Sequence, residues 1–404
     1  MIDDSTVDSL ILPIISRQDE INTFVLETIA NRVREIGSIS PSDIKRMKLL
    51  TIFGADIRQI NSTLAEMSKL QVKDIKSMIK TVAIESHIQA KPLYDYRHKQ
   101  FLDYKANRRL QHMVTSIGNQ TAQTYKNLSN SKATGFLIRD LQNPNKLKFQ
   151  TIGDTYQTIM DEAIQSVKSG VDYRVAMRRA LKQLADSGIR RLYWESGYTQ
   201  RLDTAVRRNL LDGVRAIDQG VEDLIGIDVN ADGKELSAHI NCAPDHEPFQ
   251  GHQFTNDEYA KLQSNEDFED IYHTQFSGVD RIIGQWNCRH VARSIIIGVT
   301  KPKYTEKQLQ KFIDDNAKGY TLPDGKHLSL YECTQMQRQL ETRIRYAKDE
   351  QITLYKSGDK DGAKFARQKV VNLTNEYLSF SKACGLKPQL TRAAIANYRA
   401  IKYK

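Results

Sequence analysis

Apolar residues recur at helical spacing along most of this chain. Ile21, Phe24, Val25, Ile29, Val33 and Ile36 line one face of a helix that Gly37 ends. Ser40-Pro41-Ser42-Asp43 reads as the next start, with Ser40 able to cap and Pro41 suited to the first helical position. Ile57, Ile60, Leu64 and Met67, then Val72, Ile75 and Ile79, repeat the pattern, so residues 1–130 are expected to be helical throughout. These stripes need each other or a partner, because short amphipathic helices are marginal alone. Core packing is the plainer reading. From 90 to 150 aromatic and basic residues interleave, as in Tyr94, Tyr96, Arg97, Phe101, Tyr104, Lys105, Arg108 and Arg109. The spacing suits an amphipathic helix with basic edges better than a stacking surface for nucleic acid. Asn143-Pro144-Asn145 marks a turn and a domain boundary.

Further helices follow, each with a glycine near its end: Ile159, Ala163, Ile164 and Val167 before Gly170, and Val175, Ala176, Ala180, Leu181 and Leu184 before Gly188. Leu202, Ala205, Val206 and Leu210 start another. The period changes near residue 223. Leu224 to Val229 looks like a strand, Asn230-Ala231-Asp232-Gly233 like a turn, and Glu235 to Ile240 like the return strand. Ile295-Ile296-Ile297 adds a short apolar strand or buried segment. Helix returns in two long pieces, Tyr331 to Glu350 and about Gly362 to Phe380, joined through Gly358 and Gly362 and ended by Gly385. Asp324-Gly325-Lys326 is a turn. The expected fold is mostly α with a small α+β module. Its blocks are a helical region 1–145, a helical block 146–222, a His/Cys-rich module 223–303 and a basic helical region 304–404.

Charge sharpens this division. Residues 301–404 hold 21 Lys+Arg against 11 Asp+Glu, which accounts for the whole net charge of +10. Residues 222–280 carry 14 acids against only Lys234 and Lys261. A basic end favours an acidic partner, DNA or an acidic protein face, while a solvated helical surface explains it equally well. No apolar run approaches a bilayer span. Met1-Ile2-Asp3-Asp4 lacks the basic start of a secretory signal, so folding in a cytoplasm is expected. Cys242, Cys288, Cys333 and Cys384 form no disulfide framework and read as free thiols.

Candidate chemistry concentrates in one place. Five of the nine histidines lie between His239 and His290, with two of the four cysteines. His239, His246, Cys288 and His290, with Cys242 as substitute, could supply the four nitrogen and sulfur ligands of a structural zinc. The alternative is a hydrogen-bonded polar core. A third reading is a metal-dependent nuclease or a thiol hydrolase, with Cys288 as nucleophile, His290 or His239 as base and Asp245 or Glu247 orienting it. No Walker loop, nucleophile elbow, HExxH or dinucleotide fingerprint accompanies it.

The same residues carry a resemblance. Ser237-Ala238-His239, Pro244-Asp245-His246, Phe249-Gln250-Gly251 and Trp286-Asn287-Cys288-Arg289-His290 resemble, in order, motifs of the minor capsid protein family of tailed phages of Gram-positive bacteria. Gly170 to Tyr173, Ala176 to Arg179, Leu184 to Ile189, Leu202 to Arg208, Tyr331 to Arg338, Glu341 and Ile344-Arg345 are similar too. Gln250, Gly251, Asn287 and Arg289 are the motif residues beside the histidines and thiols. One departure is Asn241-Cys242-Ala243-Pro244, where the family has Gly-Ala-Arg-Pro; the missing arginine weakens an anion-binding role, and Cys242 adds a thiol. The resemblance implies a structural, non-enzymatic, low-copy component of the virion head. It implies as partners the phage portal protein, other capsid or scaffold proteins and double-stranded DNA, with no membrane and no small-molecule substrate.

Overall fold

The structure is a computed structural model that describes residues 4–40, 49–139, 145–169, 172–193, 196–263, 290–395 and 398. It is mostly helical, 69%, with a small sheet component. The helices are α1 (Asp4–Gly37), α2 (Leu49–Gln89), α3 (Lys91–Tyr96), α4 (Arg108–Leu128), α5 (Ile152–Ser169), α6 (Tyr173–Ser187), α7 (Leu202–Asp228), α8 (Asn256–Gln263), α9 (Glu306–Lys318), α10 (Leu330–Lys356) and α11 (Lys360–Ala383). The strands are β1 (Thr134–Arg139), β2 (Leu147–Thr151), β3 (Arg190–Leu192), β4 (Thr199–Arg201), β5 (Gly233–Leu236), β6 (Gln253–Thr255), β7 (Ala292–Ile295), β8 (Tyr320–Thr321) and β9 (His327–Leu328).

The chain forms two compact units, each discontinuous in sequence. Unit 1 comprises residues 1–11, 74–122 and 208–336; unit 2 comprises 12–73, 123–207 and 337–404. The expected 223–303 module falls wholly within unit 1.

In unit 2 the predicted stripe of α1 is core: Ile21, Val25, Ile29, Val33 and Ile36 are all buried, as are Phe53 and Ile60 of α2. Each such side chain contributes about 1.5–3 kcal/mol by leaving water. Phe53 meets Tyr156 edge-on at 5.8 Å. The sheet of this unit runs β2-β1-β3-β4, antiparallel throughout. Gly135 makes the β1–β2 pairing possible, since a Cβ there would lie 1.8 Å from the Gln150 carbonyl oxygen. Beyond the short β3, the free edge of β1 is satisfied by helix side chains: Leu137 N–H donates to Ser187 Oγ (2.8 Å) and Arg139 N–H to Gln183 Oε1 (3.2 Å).

Unit 2 also buries a cluster of charge. Arg201, Asp203, Asp349 and Asp19 are each less than 10% exposed. Arg201 Nε donates to Asp203 Oδ1 (3.2 Å), Arg201 Nη2 reaches Asp349 Oδ2 (3.5 Å), and Arg345 donates to the other oxygen of Asp203. Asn22 joins by donating to Asp349 (3.2 Å) and accepting from Ile189 N–H (2.9 Å). Two cations face three acids, so electroneutrality calls for one proton. Burial, reinforced by the Asp203 charge, pushes the Asp19 carboxyl up to about 8, and burial pushes Asp349 up to about 6. Burial opposes ionisation of Asp203 too, but Arg201 and Arg345 outweigh it and hold that carboxyl low.

Unit 1 packs α4 against α7 at glycines. A Cβ on Gly213 would lie 2.6 Å from Thr121 Oγ1, and one on Gly220 2.8 Å from Met113 Sδ. Its main sheet is antiparallel with order β6-β5-β7. Two expectations are corrected here. Leu224–Val229 is not a strand: α7 continues through Asp228, because Val221, Leu224, Ile225 and Val229 are buried at helical spacing while Ile227 is exposed. Nor are residues 1–130 helical throughout, since 97–107 form an irregular connection. The turn at Asn230 holds, with Asn230 at φ 50°. So does the turn at Gly325, which joins β8 to β9. The predicted helix start at Pro41 and the stop at Gly170 lie outside the described residues.

Candidate functional site

The three-stranded sheet of unit 1 gathers the candidate histidines. The chain leaves β5 at Ser237 and reaches His239 two residues later. A 3-10 turn, Pro244–His246, presents His246, and His290 leads into β7. The ring centroids of His239 and His290 are 4.9 Å apart, and those of His246 and His290 5.2 Å. His246 and His290 are buried and His239 is half-buried.

Gln250 ties this group together. Its Oε1 accepts from His239 N–H (2.8 Å) and lies 3.5 Å from His290 Nε2. Ser237 and Val291 exchange two further bonds, Ser237 N–H to Val291 O (3.0 Å) and Val291 N–H to Ser237 Oγ (3.1 Å). Gly251 must be glycine twice over: its φ is 75°, and a Cβ would sit 2.4 Å from Leu309 Cδ2. Beneath lies a small apolar cluster of Leu236, Leu262 and Ala292 with Phe249, Phe254 and Tyr259 packed against it.

Three residues of α7 that sequence reasoning missed hold β7 in place. Gln219 brackets Ala292, accepting from its N–H (2.9 Å) and donating to its carbonyl (3.3 Å). Glu222 accepts from Ser294 N–H (2.9 Å), and Arg215 Nε donates to the His290 carbonyl (3.3 Å). The edge of β7 thus has its backbone groups satisfied by side chains, which removes an exposed strand edge. The spacing of Arg215, Gln219 and Glu222 puts all three on one helix face. The helix carries many other polar residues, so nothing in the sequence singled these three out.

Burial, with the neighbouring His239, His246 and Arg215, pulls the His290 imidazole down to about 2, so it stays neutral at any physiological pH. A general base needs a value near the working pH, which His290 does not have. Cys242 is buried, and its thiol donates to the Ala243 carbonyl (3.0 Å). Glu247 accepts from Asn316, which in turn accepts from Tyr331 N–H (2.8 Å). Among the described residues, no group of three or more His, Cys, Asp or Glu side chains is arranged to hold a metal ion. Cys288, Asn287 and Arg289 lie outside the described residues. The sheet therefore brings His239, His246, His290 and Gln250 together, and Cys242 forms its own bond beside them.

Comparison with known proteins gives a family. The profile of the family described as Phage minor capsid protein 2 matches residues 2–380. The chain belongs to this family. No curated protein and no solved structure matches it. The match places this minor capsid protein among phage structural proteins, and it covers both compact units. The family-like segments around Asp203 and Arg345 meet in the buried charge cluster of unit 2, so they are explained by folding. No described helix is long and apolar enough to cross a membrane.

Proposed function

We propose that this minor capsid protein is built into the phage head during assembly, associates there with the portal or a scaffold protein, and contacts packaged DNA. The observation that carries the reading is the family match over residues 2–380. Burial keeps the His290 imidazole neutral and unsuited to act as a general base, which favours a structural part for that residue. The apolar stripes of α1 and α2 are buried or half-buried within the chain itself, so docking would use exposed residues such as Leu70 and Ile88, each 57% exposed. Truncating residues 1–90 would remove core, so the docking test is L70E/I88E. The variant should fold normally and fail to enter heads; normal incorporation would sink the docking part. Locating the chain in intact particles tests the rest: density beside the portal vertex is expected, and an even distribution over the shell would contradict it.

The imidazole cluster serves in this reading as the clip of the β5–β7 module. Elemental analysis distinguishes its two forms. One zinc per chain, lost together with stability in H246Q, would make it a metal clip. No zinc, with stability set by Gln250 and Ser237, would make it a hydrogen-bonded one.

A further inference from the structure

Charge in the linear sequence rises at the C-terminal end, but the fold redistributes it. By sequence, the residues of unit 1 include 21 Lys+Arg against 28 Asp+Glu, a net −7. Those of unit 2 include 38 against 21, a net +17. The basic end divides accordingly. Residues 337–404, in unit 2, supply +9 of its +10, and residues 123–207, also in unit 2, add 14 cations against 8 acids. One compact unit is strongly cationic and the other mildly anionic.

Within unit 2 four cations lie at the turn between α10 and α11. Tyr173, the first residue of α6, packs on Gly37 and donates its hydroxyl to the Val33 carbonyl, which brings the start of α6 to the end of α1. Arg178 Nη2 donates to Asp359 Oδ1 (2.7 Å), which brings α6 to the start of α11. Arg34 Cδ lies 3.7 Å from where a Cβ of Gly358 would stand. Arg34, Arg174, Arg178 and Lys360, drawn from three distant segments, thus surround one turn.

Two of the nearby acids, Asp172 and Asp359, are engaged as helix caps. Asp172 Oδ1 accepts from the N–H groups of Arg174 (3.0 Å) and Val175 (3.3 Å), and Asp359 Oδ1 accepts from Gly362 N–H (3.0 Å). Arg34, Arg174 and Lys360 are exposed, and among the described residues none of them is in an ion pair. Val175 (53% exposed) and Phe365 (74% exposed) stand beside them on α6 and α11. Of the three acids at this turn, Asp172 and Asp359 serve as helix caps and Asp361 stands in the first turn of α11, while Arg34, Arg174 and Lys360 face outward.

We infer that unit 2 binds duplex DNA through its phosphate backbone, with Arg34, Arg174 and Lys360 as a contact patch, and that unit 1 does not contribute. The inference gives the proposed DNA contact its surface and rests on that reading for its place in the particle. Backbone contacts carry no sequence information, so binding is independent of sequence. Three phosphate contacts release counterions with a log–log salt slope of about −3, a loss of roughly 40-fold between about 50 and about 200 mM salt.

The test measures anisotropy of a labelled random-sequence duplex with the full chain across that salt range. R174Q/K360Q should weaken binding several-fold and reduce the slope by about 2. K307Q/K326Q removes the same charge from exposed lysines of unit 1 and should leave binding and slope unchanged. R34Q provides a second route should the first variant fold poorly by thermal melting. No binding, a flat salt response, or equal losses from the two pairs would overturn the inference. Polyglutamate competing as well as DNA, charge for charge, would overturn it in favour of an acidic protein face. A protein that binds DNA this way yet is absent from heads would sink the head reading and leave the surface intact.

Discussion

Replacing Asp19 by asparagine tests the buried charge cluster of unit 2 through its proton. At pH 6 Asp19 is protonated in the native protein, so Asp19→Asn exchanges one neutral group for another of the same shape. Its folded value of about 8 lies above the unfolded value of about 4, so the native state keeps a proton that the unfolded chain has lost. The stability from this group is complete below pH 4 and disappears as pH rises to 8. The slope is about 1.4 kcal/mol per pH unit while only the native form is protonated. Asparagine has no such slope. The stability of D19N relative to the parent should therefore rise by about 2 kcal/mol between pH 6 and pH 8. Urea unfolding followed by circular dichroism at both pH values measures this. Parallel stability curves for the two proteins would refute the proton assignment. R201M sets the scale: with only Arg345 left against the acids, it should cost about 3–5 kcal/mol at pH 7.5.

Other consequences follow from particular contacts. Gly135→Ala drives a methyl into the Gln150 carbonyl and should break β1–β2 pairing, at a cost of about 2–4 kcal/mol in the same unfolding assay. His290, held near 2 when folded against about 6.5 unfolded, stabilises the protein above pH 6.5, and that stability is lost as pH falls; its NMR ring signal should not titrate between pH 8 and 5. Gln219→Leu leaves the Ala292 N–H and carbonyl unsatisfied, costs about 1–3 kcal/mol, and should speed amide exchange at Ala292 while that of β1 stays unchanged.

The helices were legible because their apolar residues repeat with period 3.6 and because glycines mark several ends, as Gly188 at φ 57° and Gly385 at φ 67° do here. The four-stranded sheet was not. Its strands are three to six residues long, too short for a period of two to stand out, and the turn expected at Asn143-Pro144 lies outside the described residues. Leu224–Val229 misled for the opposite reason: a continuous apolar run reads as strand or buried helix alike, and the length of α7 decides. At the site, the histidines and Gln250 were visible as residue types, but the α7 side chains that fix β7 lie more than 65 residues away in sequence. The four-stranded and three-stranded sheets use the same device, polar helix side chains on a strand edge. Only folding reveals it, since Ser187, Gln183, Gln219 and Glu222 look like ordinary surface residues. The charge cluster was hidden likewise: Asp203 and Arg345 stood out as family-like, but nothing in the chain order joins them to Asp19.

The most direct test of the head-component reading is quantitative mass spectrometry of particles purified from an infected lysate, normalised to the major shell protein. A membership in the head predicts this chain at a fixed, low number of copies per particle, retained through repeated density-gradient purification. Its loss from particles during purification, with the chain recovered only in the soluble fraction, would contradict the account.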